Sequence, residues 1–237
     1  MTLRFQQPRP PQTGEIEKYP LLLPETAGLV RGSEAQAVQD GSLLDQGARL
    51  SLRKDRVRDG SNLSEAVIQG AISRLLSYLK GERERYWPQG RYLNAESRAV
   101  FGRFFSQELL REVRVVALSG RRLTNPPFYD TARKLGIANL PDLPHTASVT
   151  FLDVIVFNEQ ITNRGLFHSL VHAAQVRVFG PRFFTELYVR GVMRVRSYSL
   201  APMKAQAFAL DTRFASNPEQ TFSVEGEIRT WFNEARY

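Results

Sequence analysis

Apolar residues recur at helical spacing from about residue 62 onward and in no sustained period before it. Val67, Ile68, Ala71, Leu75, Leu76 and Leu79 fall on one helix face. Asn62 and Glu65, three residues apart, predict a capping-box start to that helix, and Gly81 predicts its stop. A wider stripe of Val100, Phe101, Phe104, Phe105, Leu109 and Leu110 predicts a second helix over residues 94–111. The period then changes. Residues 113–118 are rich in β-branched side chains, and residues 149–157 alternate or run apolar, which predicts two strands. Between them lie Asn125-Pro126-Pro127-Phe128-Tyr129, a short turn of helix over 131–135 ending at Gly136, then Pro141 and Pro144. A connection that long suits one wall of a cleft. The next helix runs from Thr162 or Asn163 to Phe179, closed by Gly180, with Pro181 opening another to about residue 190. Helices over 202–215 and 223–234 follow, the last with Ser223 as cap and Glu225 in its first turn. Several helices beside a small sheet make an α+β domain over residues 62–237, with the sheet flanking the helix of residues 162–179.

Residues 1–61 read differently. Pro8, Pro10, Pro11, Pro20 and Pro24, with scattered Gly, Gln and Ser, predict a proline-rich arm or tail that is partly disordered. Its run Tyr19-Pro20-Leu21-Leu22-Leu23-Pro24 is apolar enough to lie on a surface or dock. With 237 residues, 42% of them hydrophobic, the chain can bury a core of ordinary domain size. It holds no cysteine, which excludes disulfides and thiolate metal sites, so any metal must use His, Asp or Glu. The first residues lack the apolar core of a secretory signal, and no stretch approaches the roughly 20 apolar residues that span a bilayer. The expected compartment is the cytoplasm. A net charge of +8 and pI near 10.0 raise a nucleic-acid-associated or structural reading. The basic runs are short, however; Arg53-Lys54-Asp55-Arg56-Val57-Arg58 carries an acid, and no aromatic stacking platform is interleaved with them.

The chemistry concentrates in Phe167-His168-Ser169-Leu170-Val171-His172-Ala173-Ala174-Gln175. Residues four apart stack on one helix face, so both imidazoles can address one metal ion. The zinc-hydrolase motif H-E-x-x-H places a glutamate after the first histidine as general base. Ser169 stands there instead, and a serine hydroxyl takes no proton near neutral pH.

The stretch from Val113 to Trp231 resembles a group of bacterial zincin-like metallopeptidases of the H-E-x-x-H type. The resemblance rests on Asn125-Pro126-Pro127-Phe128-Tyr129, His145, Thr150-Phe151-Leu152-Asp153-Val154, the run from His168 to Gln175, and Leu187-Tyr188-Val189-Arg190-Gly191. It covers about half of the chain and implies a zincin-like fold. It also implies a glutamate after the first histidine and a third metal ligand in a Pro-Leu-Glu on the next long helix. This chain has Ser169 at the first place and Pro202-Met203-Lys204 at the second, so an ammonium replaces a carboxylate. Only His168 and His172 match as ligands.

The resulting expectation is a metallopeptidase-like protein that is not a catalyst, binds no cofactor, and keeps its cleft for a peptide or protein partner. A lysine beside two neutral histidines would put one cation where another is lost. The alternative is a zinc-dependent hydrolase in which His145 completes the set with His168 and His172, or in which Glu186 or Asp211 contributes an oxygen. A further alternative joins Ser169 and Lys204 as a metal-free nucleophile and base. Asp153 is a candidate to orient a histidine ring from the neighbouring strand, and Tyr188 and Tyr198 are candidates to present hydroxyls in the cleft.

Overall fold

A computed structural model describes residues 63–237 apart from 138 and 196. The predicted arm of residues 1–61 and the predicted cap Asn62 lie outside the described residues. Among these there are seven α-helices and one four-stranded mixed sheet, an α+β architecture.

Helix α1, Glu65–Tyr86, starts after Ser64 and passes through Gly81, where the sequence predicts a stop. A lone glycine costs a helix only about 1 kcal/mol. Beyond it the helix buries Tyr86 and ties Arg83 to Asp153, and these contacts carry it on. The helix predicted over 94–111 is two helices, α2 at Ala95–Phe101 and α3 at Gln107–Glu112. Each has its own cap: the Asn94 side chain accepts from Ser97 N at 2.7 Å, and Ser106 Oγ accepts from Leu109 N at 3.4 Å. The break arises from distant partners. Phe104 O accepts from Val224 N at 2.9 Å, and Ser106 N donates to the Glu225 carboxylate at 2.9 Å, so backbone groups a continuous helix would pair internally are engaged elsewhere.

Strand β1 is Arg91–Tyr92 and β2 is Arg114–Ala117. The nine-residue strand predicted over 149–157 is a hairpin, β3 at Ser148–Phe151 and β4 at Val154–Phe157. Its turn is Leu152-Asp153, with Leu152 at φ 61°. A carboxylate inside an apolar run has no place in a buried strand. Here Asp153 leaves the sheet and accepts from Arg83 Nε at 2.5 Å and Nη2 at 2.8 Å. The sheet order is β1-β2-β4-β3, with β2 and β4 parallel and the other two pairings antiparallel. All four residues of β4 are buried, as expected of an apolar run between two strands, while β3 ends the sheet.

Helix α4, Tyr129–Lys134, lies in the long connection between β2 and β3. Helix α5, Asn163–Arg194, begins at Thr162, whose side chain accepts from Gly165 N at 3.0 Å. It breaks where predicted, at Gly180 with φ 74° and ψ 154°, a conformation only glycine adopts without strain, and Pro181 restarts it. Helices α6, Pro202–Ser216, and α7, Val224–Asn233, complete the domain. Gly191 lets the start of α6 approach α5 closely, since a Cβ there would sit 3.0 Å from Pro202 Cδ. That approach brings the first turn of α6 towards the histidine-bearing part of α5.

One side of α5 is packed in aromatic side chains. Phe101, Phe104, Phe105, Phe214 and Phe222 surround Phe167, which stacks on Phe214 with ring centroids 4.3 Å apart. The next residue along, His168, belongs to a different environment.

Candidate functional site

His168 and Ser169 are consecutive on α5, so they point about 100° apart around the helix. His168 meets α6, and Ser169 meets β3. From α6 come Lys204 and Asp211, seven residues apart and hence close to one face of that helix.

Asp211 and Lys204 grip the two nitrogens of His168. Asp211 Oδ2 lies 2.6 Å from Nδ1, and Lys204 Nζ lies 2.8 Å from Nε2. Burial, with Lys204 and Arg164 adding to it, holds the pKa of His168 well below the usual imidazole range, so the ring is neutral. A neutral imidazole has one N–H. The carboxylate can only accept, which assigns that proton to Nδ1 and leaves the Nε2 lone pair to accept from the lysine. Asp211 is nearly inaccessible. Burial raises its pKa, but Arg164 donates to Oδ1 from Nε at 3.1 Å and from Nη2 at 2.9 Å, which favours the ionised form. Lys204 is pushed down to about 8 by burial. Its Nζ also lies over the faces of Phe208, at 4.9 Å, and Tyr198, at 5.8 Å.

His172 packs edge-on against His168, with ring centroids 4.9 Å apart. It too is held neutral, first by burial and then by His168 and Lys204. Its Nδ1 donates to Gln175 Oε1 at 2.7 Å, while the Gln175 amide donates to Met203 O at 3.0 Å and Gln206 Oε1 at 2.8 Å. This chain of bonds fixes the His172 tautomer and ties α5 to α6.

Ser169 does not meet Lys204. Its hydroxyl donates to Gly165 O at 2.9 Å and shares a bond with Ser148 Oγ at 2.8 Å, while Thr150 Oγ1 donates to Ser169 O at 3.1 Å. The proposed serine and lysine pair is therefore not formed, because consecutive helix positions send the hydroxyl to the sheet and the imidazole to α6. His145 is also elsewhere. It sits on the single turn Leu143–His145, is 79% exposed, and bonds Asp142 at 2.6 Å; it does not line the cavity below. Asp153 serves Arg83 and not a histidine, and Glu186 accepts from Arg190 at 2.9 Å. Tyr188 and Tyr198 do reach the site, with ring centroids 6.1 Å apart.

His168, Ser169, His172, Tyr188, Tyr198 and Lys204 form the polar part of the lining of a cavity of about 450 Å³, a size typical of ligand sites. Its walls are largely apolar: Val67, Leu75 and Tyr78 from α1, Pro126, Phe128 and Tyr129 from the long connection, Ser148 to Phe151 from β3, and Val189 and Val192 from the second half of α5. The connection predicted to wall a cleft does so. The role of Asp211 as the anchor of His168 was beyond the motif, although its two-turn spacing from Lys204 is readable. Tyr78 and the rest of the α1 wall carried no sequence signal beyond an amphipathic stripe.

Zinc fits this donor set poorly. Both nitrogens of His168 are engaged, an ammonium stands 2.8 Å from the nitrogen a metal would use, and a dication there would meet like charge. Among the described residues no group of three or more His, Asp or Glu side chains is gathered to hold a metal ion. In comparison with known proteins, the chain matches no family model, no curated protein and no solved structure.

Proposed function

We propose that this protein is a cytoplasmic, metallopeptidase-like binding protein that works without zinc and uses its cleft to hold a peptide segment of a partner. The observation that carries the reading is the 2.8 Å contact of Lys204 Nζ with His168 Nε2. One cation occupies the neighbourhood a metal would need, and the position of the general base is filled by a hydroxyl turned to the sheet. The contact also locks the polar part of the lining into a bonded network, which suits recognition more than turnover.

Strand β3 supports a peptide as the occupant. It is the last strand of the sheet and lines the cavity. Phe151 pairs with Val154 across a two-residue turn, so Val149 shares the hydrogen-bonding phase of Phe151, and the N–H and C=O groups of Ser148 and Thr150 face away from β4. Such an edge accepts an extended chain as an added strand, while the cavity takes its side chains. No described helix is long and apolar enough to cross a membrane.

The test is metal analysis of protein purified without a histidine tag and supplied with zinc. We expect no stoichiometric zinc in the native chain, and zinc bound by the double variant Ser169→Glu with Lys204→Glu, which restores two carboxylates beside the histidine pair. Stoichiometric zinc in the native protein that disappears in His168→Ala would overturn the reading in favour of a zinc hydrolase.

A further inference from the structure

Among the described residues, the cavity is lined by positive charge and by no negative charge. Lys204 lines it from α6 and Arg74 from α1, and no Asp or Glu is among its described lining side chains. Neither cation forms an ion pair among the described residues. The carboxylate closest in chemistry, Asp211, is already shared between Arg164 and His168, and both histidines are neutral.

Lys204 is thus short of partners. An ammonium has three N–H donors, and here one meets the His168 lone pair while the aromatic faces of Phe208 and Tyr198 supply weaker attraction. A half-buried ammonium with a single neutral acceptor keeps N–H donors free, and an incoming anion would accept from them. Val67, Leu75, Phe128 and Val189 make the remaining walls apolar. The complementary occupant is an apolar group that ends in a single anionic head.

We propose that the cavity captures the free C-terminus of a peptide, the terminal carboxylate accepting from Lys204 Nζ, apolar C-terminal side chains filling the cavity, and the preceding residues pairing along Ser148 and Thr150 of β3. This rests on the peptide-binding reading above and adds which end of the peptide is recognised and by what. His168 is a positioning residue in this arrangement: anchored by Asp211, it offers Nε2 to the lysine and holds Nζ at the cavity lining. Strand addition supplies affinity without regard to sequence, the carboxylate fixes direction and register, and the apolar walls select the last side chains.

The experiment uses two pools of fluorescein-labelled hexapeptides, each with random first three positions and Leu, Ile, Val or Phe at the last three. One pool ends in a free carboxylate and the other in an amide, and binding to the full chain is followed by fluorescence polarisation, with sodium dodecanoate as a third probe. We expect the acid pool to bind at least about 30-fold more tightly than the amide pool. The difference should vanish in Lys204→Met and in Lys204→Gln. Equal binding of acid and amide would overturn the carboxylate inference and leave the peptide reading standing. Binding of neither pool would overturn both, and dodecanoate bound in that case would assign the cavity to a small amphiphilic acid.

Discussion

Phe167 and His168 are neighbours on one helix and live in opposite kinds of environment. Phe167 is fully buried among five other phenylalanines, and any one of several contacts can hold it in place. His168 is held by two single bonds, Asp211 at one nitrogen and Lys204 at the other, and neither has a substitute. The first region is fixed by volume and is redundant. The second is fixed by charge and proton position, so small chemical changes there matter more than lost surface. A core of this kind gives α5 the rigidity on which the placement of a few polar atoms depends.

Three measurements separate the two regions, beginning with the largest effect. Phe167→Ala should destabilise the protein by about 3–5 kcal/mol in urea unfolding, because the ring is stacked and completely enclosed and its loss leaves a cavity. That loss should be the same at pH 7.5 and pH 5.5, since no proton is involved. A pH-dependent loss would show that the aromatic cluster and the polar part of the site are energetically one unit.

The polar part should instead reveal itself by pH. His168 and His172 are held neutral in the fold, so their pKa values lie below that of an unfolded histidine, near 6.5. As pH falls through 6.5 the unfolded chain takes up protons that the folded chain refuses, and stability drops. The slope approaches about 1.4 kcal/mol per pH unit for each histidine between 6.5 and its folded pKa. Urea unfolding between pH 7 and 5 checks this, and His172→Gln should remove about half of the slope. A flat profile would mean that the histidines are accessible to protons and not enclosed as described.

Arg83→Ala should have the smallest effect. Its pair with Asp153 is bidentate but about one-third exposed on each side, and exposed pairs contribute roughly 0–1 kcal/mol. A loss well above this would show that the hairpin turn, with Leu152 at φ 61°, depends on the ion pair to hold its strained conformation.

Much of the fold was legible in the chain because local signals and tertiary demands agreed. Gly180 followed by Pro181 marks the break in α5, Thr162 and Ser223 cap their helices, and the apolar run of β4 matches a strand covered on both sides. The misreadings share a cause. Gly81 does not stop α1, Phe104 and Ser106 do not continue a helix, and Asp153 does not stay in a strand, because partners far along the chain outbid the local preference.

The candidate site divides in the same way. By itself the sequence determined that two histidines share a helix face and that no acid follows the first. These are facts of spacing and residue type, and helical periodicity carries them directly into space. Only the tertiary structure decided that Lys204 touches His168, that Asp211 fixes the ring from the other side, that Ser169 turns to β3, and that His145 stays outside. Those outcomes depend on how α6 is seated against α5, with Gly191 leaving room for Pro202. The approach of two helices is set by packing across the whole domain and by no short segment of either.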